Sequence, residues 1–295
     1  MEYLDEPALV SESQNMNHKD DWLTIVTVSF NSERVLPRML TSVPEGVQVV
    51  IVDNASEDRE AVRQIVADHR AKLIELFENK GFGIACNVGA ADAQTEFLLF
   101  LNPDVEIRSG ALDELRDAAA RYPKASAFNP RILNEDGTTS LKRRSNLLPR
   151  SEWLPRRELK ADCEVPVLAG SAIFMRKVDF DAIGGFDPMI FLYYEDDDLS
   201  LRLRRERGPL YCIPGAEVVH TGGASSARSV NVAQIKGYHL GRSRVYCSIK
   251  HGTPFGRTKA LTKAILVAIS PLVLFSKRKR AKEWARLDGT FRTLF

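Results

Sequence analysis

The sequence predicts an α/β protein with a mainly parallel central sheet flanked by helices. Three observations support that class. Short apolar or β-branched runs recur at 24–30, 47–52, 72–77 and 97–101, separated by polar-capped stretches with helical patterning. The run Phe97-Leu98-Leu99-Phe100-Leu101 is apolar without alternation, as expected of a parallel-sheet strand covered on both faces. The first, second and fourth runs are followed by Asn31, Asp53 and Asp104, and open α/β sheets bind ligands beyond the carboxyl ends of their strands. Asp104 sits just past Asn102-Pro103, where proline, which cannot donate to a ladder, stops the strand.

Thr24 to Phe30 is rich in β-branched residues and makes the first strand. A helix from about Glu33 to Ser42 gathers Val35, Leu36, Met39 and Leu40 on one side. Val47 to Val52 is the second strand, ending at Asp53. Ser56 is the expected N-cap of a helix running towards His69, with Glu57 and Asp58 in its first turn. Lys72 to Phe77 is the third strand, and Asn79-Lys80-Gly81-Phe82-Gly83 leads into a helix through Ala93. Ser109 is expected to cap a further helix ending near Tyr122-Pro123. Alternation of this kind implies βαβ units.

After Phe128 the pattern changes. Asn134-Glu135-Asp136-Gly137 signals a hairpin tip. The basic, proline-interrupted stretch Arg143 to Lys160 reads as a long loop around Trp153. Val165 to Met175 is a strand broken by Gly170. Gly184-Gly185-Phe186-Asp187 turns into the aromatic segment Phe191–Tyr194, and Glu195 opens a helix to about Arg205. Leu210–Ile213 and Glu217–His220 read as two short strands. The apolar stretch Ala264 to Phe275 falls short of the ~20 residues of a spanning helix. The basic cluster Lys277-Arg278-Lys279-Arg280 and Lys282 follow it at once, a pattern that suits a helix lying in an anionic membrane interface. A C-terminal helix packed on the core with a solvated basic end fits the same residues.

Composition narrows the function. With 295 residues, 44% hydrophobic and 27% charged, the chain supports a sizeable core without staples. The formal charge of +2 gives no nucleic-acid signal. Cys86, Cys163, Cys212 and Cys247 show no metal-type spacing and read as thiols of a reducing compartment. The polar stretch 1–21 has no apolar signal-peptide core and is expected to be a flexible leader.

The candidate chemistry lies in the carboxylates. Asp53, after a second strand, suits a ribose in dinucleotide enzymes, but that reading requires a glycine-rich first turn, and here the turn is Ser29-Phe30-Asn31-Ser32-Glu33. The same missing loop excludes a nucleotidyltransferase. Gly81-Phe82-Gly83 lets backbone amides approach a nucleotide, and a tight turn explains it equally. Asp104 is a hard oxygen ligand for Mg²⁺ or Mn²⁺, with His220 as a second ligand. Four acids at Glu195–Asp198 exceed what a helix start requires. Asp198 pairs at i,i+4 with Arg202, which leaves Asp196 as general base, its pKa raised by acidic neighbours.

Taken together, these residues resemble the inverting family 2 glycosyltransferases of GT-A fold. The resemblance rests on Val-Thr-Val-Ser29-Phe-Asn31, Val-Asp53-Asn-Ala-Ser, Asn79-Lys-Gly81-Phe-Gly83 through Asn87-Val-Gly89, and Leu-Asn102-Pro-Asp104. It continues through Gly170, Gly184-Gly-Phe-Asp187, Glu195-Asp196-x-Asp198-Leu with Arg202, and Val-Val-His220. These motifs lie in order from Leu23 to Gly223, and the Asn-Pro-Asp form is similar to rhamnosyltransferases of polysaccharide assembly.

The resemblance implies that Asp53 binds the pyrimidine base, with Ser29, Asn31, Asn79, Gly81, Gly83 and Asn87 around the nucleoside. It implies that Asn102 and Asp104 meet the diphosphate, where Asp104 and His220 hold Mg²⁺ or Mn²⁺. Gly170, Tyr194, Glu195 and Arg144 would receive the acceptor, and Asp196 would deprotonate its hydroxyl. The family's usual Asp-x-Asp begins here with Asn102, which weakens the expected metal site. The implied donor is dTDP-rhamnose first and a UDP-sugar second, and the implied acceptor is a saccharide, expected to be linked to a polyprenyl diphosphate. The domains expected are a leader at 1–21, a catalytic domain at 22–225 and a membrane-associated helical tail at 226–295. The expected location is cytoplasmic, at the inner face of the membrane. A non-catalytic sugar-nucleotide-binding or membrane-organising protein is the alternative. Intact Asp104, Asp196 and His220 weigh against it.

Overall fold

The computed structural model describes residues 22–156, 159–221 and 229–294. The expected leader, Arg157 of the basic loop and the expected boundary at 225/226 lie outside the described residues. The chain runs β1 (Leu23–Ser29), α1 (Leu36–Thr41), β2 (Gln48–Asp53), α2 (Arg59–Asp68), β3 (Lys72–Glu75), α3 (Phe82–Asp92), β4 (Phe97–Leu101) and β5 (Val105–Ile107). It continues with α4 (Ala111–Arg121), β6 (Ala127–Asn134), β7 (Thr139–Ser140), a 3₁₀ turn (Arg150–Glu152), β8 (Cys163–Val165), β9 (Ala172–Arg176), α5 (Lys177–Ala182), α6 (Glu195–Glu206) and β10 (Leu210–His220). Four helices close it: α7 (Val230–Lys250), α8 (Gly256–Ala268), α9 (Pro271–Leu274) and α10 (Lys277–Leu294).

The main strand order is β3-β2-β1-β4-β9-β6-β10-β5. The half β3-β2-β1-β4 is parallel throughout, while β9 runs antiparallel between β4 and β6. Alternate residues of one strand enter different cores. Leu23 and Ile25 pack on one face with Met39, Leu99 and Phe174, and Val26 and Val28 pack on the other with Phe100, Phe186 and Leu199. Every side chain of β4 is buried, which is why its sequence shows no alternation.

Several expectations shift in detail. Asp58, not Ser56, caps α2, accepting from the Ala61 N–H at 3.0 Å. Ser56 Oγ is committed to the Asn31 N–H instead. Gly110, with φ +80°, takes the N-cap place expected of Ser109. The two strands expected at 210–220 are one, bulged against β6 between Ile213 and Glu217. The apolar stretch 264–275 is not one helix: α8 ends at Ala268, and Pro271, without an N–H, starts α9. α7 packs along α10 through glycines. A methyl group on Gly237 or Gly241 would collide with the carbonyl oxygens of Lys282 or Arg286.

Candidate active site

The ends of β1 and β2 are joined by side-chain hydrogen bonds. Asn31, at φ +54°, accepts the Glu57 N–H at 2.8 Å, and its own N–H goes to Ser56 Oγ at 2.9 Å. Asp53 is fully buried and accepts the Ser56 N–H at 3.2 and 3.3 Å. A base reaching this carboxylate must therefore displace the turn amide or bind beside it. Asn54, which sequence reasoning passed over, donates to Asn79 Oδ1 at 3.0 Å and accepts the Lys80 N–H at 2.9 Å. Asn79 also accepts the Gly81 N–H at 2.9 Å. Ser29, Asn31, Asp53 and Asn79 are thus gathered at one sheet edge.

The glycines near this edge have packing tasks. Gly81, at φ +87°, lies where a side chain would collide with Phe191, and the Phe82 N–H donates to the Phe191 carbonyl at 3.1 Å. A Cβ on Gly83 would come 2.9 Å from that of Phe186. Asn87 uses its amide in both directions on the Phe186 backbone, at 2.8 Å each way. Gly81, Gly83 and Asn87 thus hold α3 against the 186–191 segment.

Asp104 and His220 meet because β5 and β10 pair antiparallel with His220 opposite Val105. His220 Nε2 lies 3.2 Å from Asp104 Oδ1, while the Asp104 carbonyl accepts the Thr221 N–H at 3.0 Å. The neighbouring Asp104 carboxylate raises the His220 pKa, against the opposing effect of burial. Despite that proximity, Asp104 Oδ1 is buried with no well-aligned hydrogen bond, and so is Ser29 Oγ. A buried, under-satisfied carboxylate oxygen beside an imidazole fits a divalent cation. Two protein ligands leave most of its coordination to other groups, and no cluster of three or more ligating side chains occurs among the described residues.

Asn102 brings the two halves of the site together. Its N–H donates to the Ser171 carbonyl at 3.0 Å, and the preceding Gly170 N–H donates to Asp196 Oδ2 at 3.0 Å. Gly170 leaves room for the Asp196 side chain, whose Cβ would lie 3.1 Å from an added methyl. Asp196 Oδ1 accepts the Asp197 N–H at 2.9 Å, and Lys142 Nζ approaches Asp196 Oδ2 at 2.6 Å and Asp197 Oδ2 at 2.8 Å. Sequence reasoning missed this lysine, which lies far off in the chain and carries no motif. Two members of the acidic group, Glu195 and Asp197, are raised. Burial, then the Asp196 charge, pushes Glu195 up to about 8, and its buried Oε2 has no partner. Burial also raises Asp197, with Lys142 opposing.

Tyr193 and Tyr194 precede α6 with φ +65° and +70°. Two adjacent non-glycine residues in that region store backbone strain, a feature that clusters at functional sites. Asn146 of the long loop donates to the Tyr194 hydroxyl at 3.3 Å. Arg144 stacks over Trp153, its guanidinium 5.4 Å from the ring centre. Asp198 is fully buried and structural. It receives Arg202 Nε at 2.8 Å, Lys250 Nζ at 2.6 Å and His251 Nε2 at 2.8 Å. Burial opposes its ionisation, but these three partners hold its carboxyl down at about 2.

Comparison with known proteins is consistent across sequence and fold. The family model described as glycosyl transferase family 2 matches residues 24–184. The N-acetylglucosaminyl-diphospho-decaprenol L-rhamnosyltransferase of Mycobacterium tuberculosis is 31% identical over 70% of this chain and 78% of that protein. The rhamnosyltransferase WbbL of Escherichia coli is 28% identical over 66% of this chain and 82% of that protein. Among solved structures, the Pyrobaculum calidifontis mannosyltransferase PcManGT, in complex with GDP-Man and Mn²⁺, superposes with a TM-score of 0.57 at 14% identity. That match covers 92% of this chain and 87% of the other. S. aureus TarS 1-349 in complex with UDP-GlcNAc gives 0.53 at 18% identity, over 92% and 91%. These two likenesses show the fold.

Proposed function

The chain belongs to glycosyltransferase family 2 and has the GT-A fold, and from that premise we propose that it transfers rhamnose from dTDP-rhamnose, with inversion, to a saccharide on a polyprenyl diphosphate. The observation that carries the mechanism is the Gly170–Ser171 step, whose Ser171 carbonyl accepts the Asn102 N–H and whose Gly170 N–H donates to the Asp196 carboxylate. It supports a reaction centre with the donor diphosphate on the Asn102–Asp104 side and the acceptor on the Asp196 side.

Asp196 serves as the base. An acceptor hydroxyl gives its proton to the carboxylate while its oxygen bonds to the anomeric carbon, and the bond from that carbon to the diphosphate oxygen breaks. Three donors orient Asp196, and a carboxylate with about four acceptor directions keeps one for the proton. Glu195 is the competing base, since a carboxyl near 8 is poised for proton transfer. Its free oxygen is buried, however, while Asp196 retains exposed surface. Asp104 and His220 would hold the divalent cation, which when bound supplies positive charge against the diphosphate.

The donor reading rests on the two rhamnosyltransferase relatives and on Asp53, which can accept the N3–H of thymine or uracil. Measuring sugar release and transfer across nucleotide sugars, with and without Mn²⁺, tests it. dTDP-rhamnose should give the highest rate, and GDP binding more tightly than dTDP and UDP would sink the reading. We place the reaction at an anionic membrane surface. No helix among the described residues is long and apolar enough to cross a membrane. However, Phe255 (78% exposed), Leu266 (60%), Ile269 (65%) and Phe275 (91%) stand outward, and Lys277–Arg280 follows Phe275 closely in the chain. In α8 the buried face is instead Gly256, Ala260, Ala264 and Ala268. Small residues inside and large apolar ones outside mark a docking face.

A further inference from the structure

A second cationic cluster lies away from Asp104, where α7, α8, α10 and the long loop converge. Arg286 of α10 donates to the Lys263 carbonyl of α8 at 3.4 Å. The backbone of Arg286 sits against Gly241 of α7, and Arg244 follows Gly241 by three residues, on the same helical face. The long loop reaches this corner through Thr253, whose hydroxyl donates to the Leu147 carbonyl at 3.3 Å, and through Leu147, which packs with Tyr194 and Tyr246.

Arg286 is out of the ordinary here. Its side chain is only 13% exposed, its Nε is buried without a hydrogen-bond partner among the described residues, and it pairs with Glu283 at 2.9 Å. A buried guanidinium edge without an acceptor costs free energy unless a ligand completes it. The charges around it do not balance. Burial, then Arg244, Arg286 and Arg144, lower the Lys263 pKa, with only Glu283 opposing. Burial likewise lowers Arg286, with Arg244 adding repulsion and Tyr194 and Glu283 in attraction. Four cations thus lie within electrostatic range of one another, with Glu283 the carboxylate paired to Arg286 and Tyr194 nearby.

We propose that Arg144, Arg244, Lys263 and Arg286 form a binding site for the diphosphate of a lipid-linked acceptor. The proposal rests on the glycosyl-transfer reading and names a part of its acceptor site. Guanidinium groups bind phosphate oxygens in bidentate fashion, and a diphosphate supplies the acceptor that Arg286 Nε lacks. Lys263 belongs to the same helix as the exposed Leu266, and the exposed Ile269 caps its end. A lipid tail leaving the diphosphate passes directly onto the docking face. The sugar at the other end then extends past Tyr194 towards Asp196.

The test is the affinity for geranyl diphosphate, measured by calorimetry on the full-length protein with dTDP held saturating so that the donor site is filled. The expected result is binding that weakens at least tenfold in the Arg244→Gln/Lys263→Gln double variant and is unchanged in Lys259→Gln, a cation of α8 outside the cluster. dTDP affinity reports folding of each variant. Three results would overturn the site: no binding by the wild-type protein, equal binding by the double variant, or equal loss in Lys259→Gln. Inorganic diphosphate binding as tightly as the geranyl ester would show a free-anion site instead. A double variant that loses only its hold on phosphatidylglycerol vesicles would show a bilayer contact instead. The readout involves no transfer, so failure of the donor assignment leaves it interpretable.

Discussion

Asp196 and Asp198 lie two positions apart on α6 and have opposite surroundings. A helix-start charge with an i,i+4 partner such as Arg202 contributes roughly 0.3–1 kcal/mol. The structure adds Lys250 and His251 and removes all solvent. Asp198→Asn should therefore cost about 3–5 kcal/mol, the range for breaking a buried ionic network, seen as a large drop in Tm. The sign of the pH effect follows from a carboxyl held near 2 in the fold against about 4 when unfolded. Its stabilisation is present above about pH 4 and is lost as pH falls towards 2. A denaturation series across that window should show a steeper loss for the wild-type protein than for Asp198→Asn. Lys142 carries a different prediction. Lys142→Met leaves the acidic group without its shared cation, so Glu195 and Asp197 ionise less readily. The acidic limb of the pH–rate profile should rise by about a unit with donor affinity kept, and an unmoved limb would remove Lys142 from the site.

At the scale of elements, α7 couples the sheet to the C-terminal helices. It holds α6 through Lys250, with His251 just beyond its end, and it holds α10 through Gly237 and Gly241. Gly241→Val should push α10 away at a cost of about 1–3 kcal/mol, lowering Tm while dTDP binding persists. An unchanged Tm would mean that α10 does not depend on this contact. The sheet's parallel half was legible because β1, β2 and β4 are apolar runs ended by Asn, Asp or Pro, a local signal. The Gly170 break was legible for the same reason. The cap of α2 was misread because Ser56 and Asp58 are both good caps, and the choice was made by Asn31, which takes the Ser56 hydroxyl. β5 escaped notice since three residues carry no period, and its pairing with β10 is what places His220. Lys142, Lys250 and His251 were invisible as partners because their carboxylates lie more than fifty residues away in sequence. In the tail, the apolar run outweighed Pro271, although proline marks the break.

At the scale of the whole molecule, charge is arranged by region although the net is only +2. Residues 218–282 contain no Asp or Glu, and the exposed Phe255, Leu266, Ile269 and Phe275 lie within that span. The protein should sediment with phosphatidylglycerol vesicles at low salt and release as salt shortens the Debye length to about 8 Å at 0.15 M. Leu266→Asp/Phe275→Asp should weaken this partition at least tenfold with dTDP affinity unchanged, since both side chains stand in solvent. Binding that ignores these substitutions would assign the exposed face another role. Point substitutions test this more cleanly than deletion from Ala260 onward, because deletion also uncovers the glycine face of α7.

The central claim is that Asp196 takes the acceptor proton, and its most direct test is the transfer rate of Asp196→Asn at saturating donor, beside Glu195→Gln and the wild-type protein. Asparagine keeps the shape of the side chain and loses the base. The account predicts a fall of about 10²–10⁴-fold in Asp196→Asn, with Tm and dTDP affinity close to wild type and a smaller loss in Glu195→Gln. Near wild-type turnover in Asp196→Asn, with the large loss in Glu195→Gln, would contradict it and make Glu195 the base.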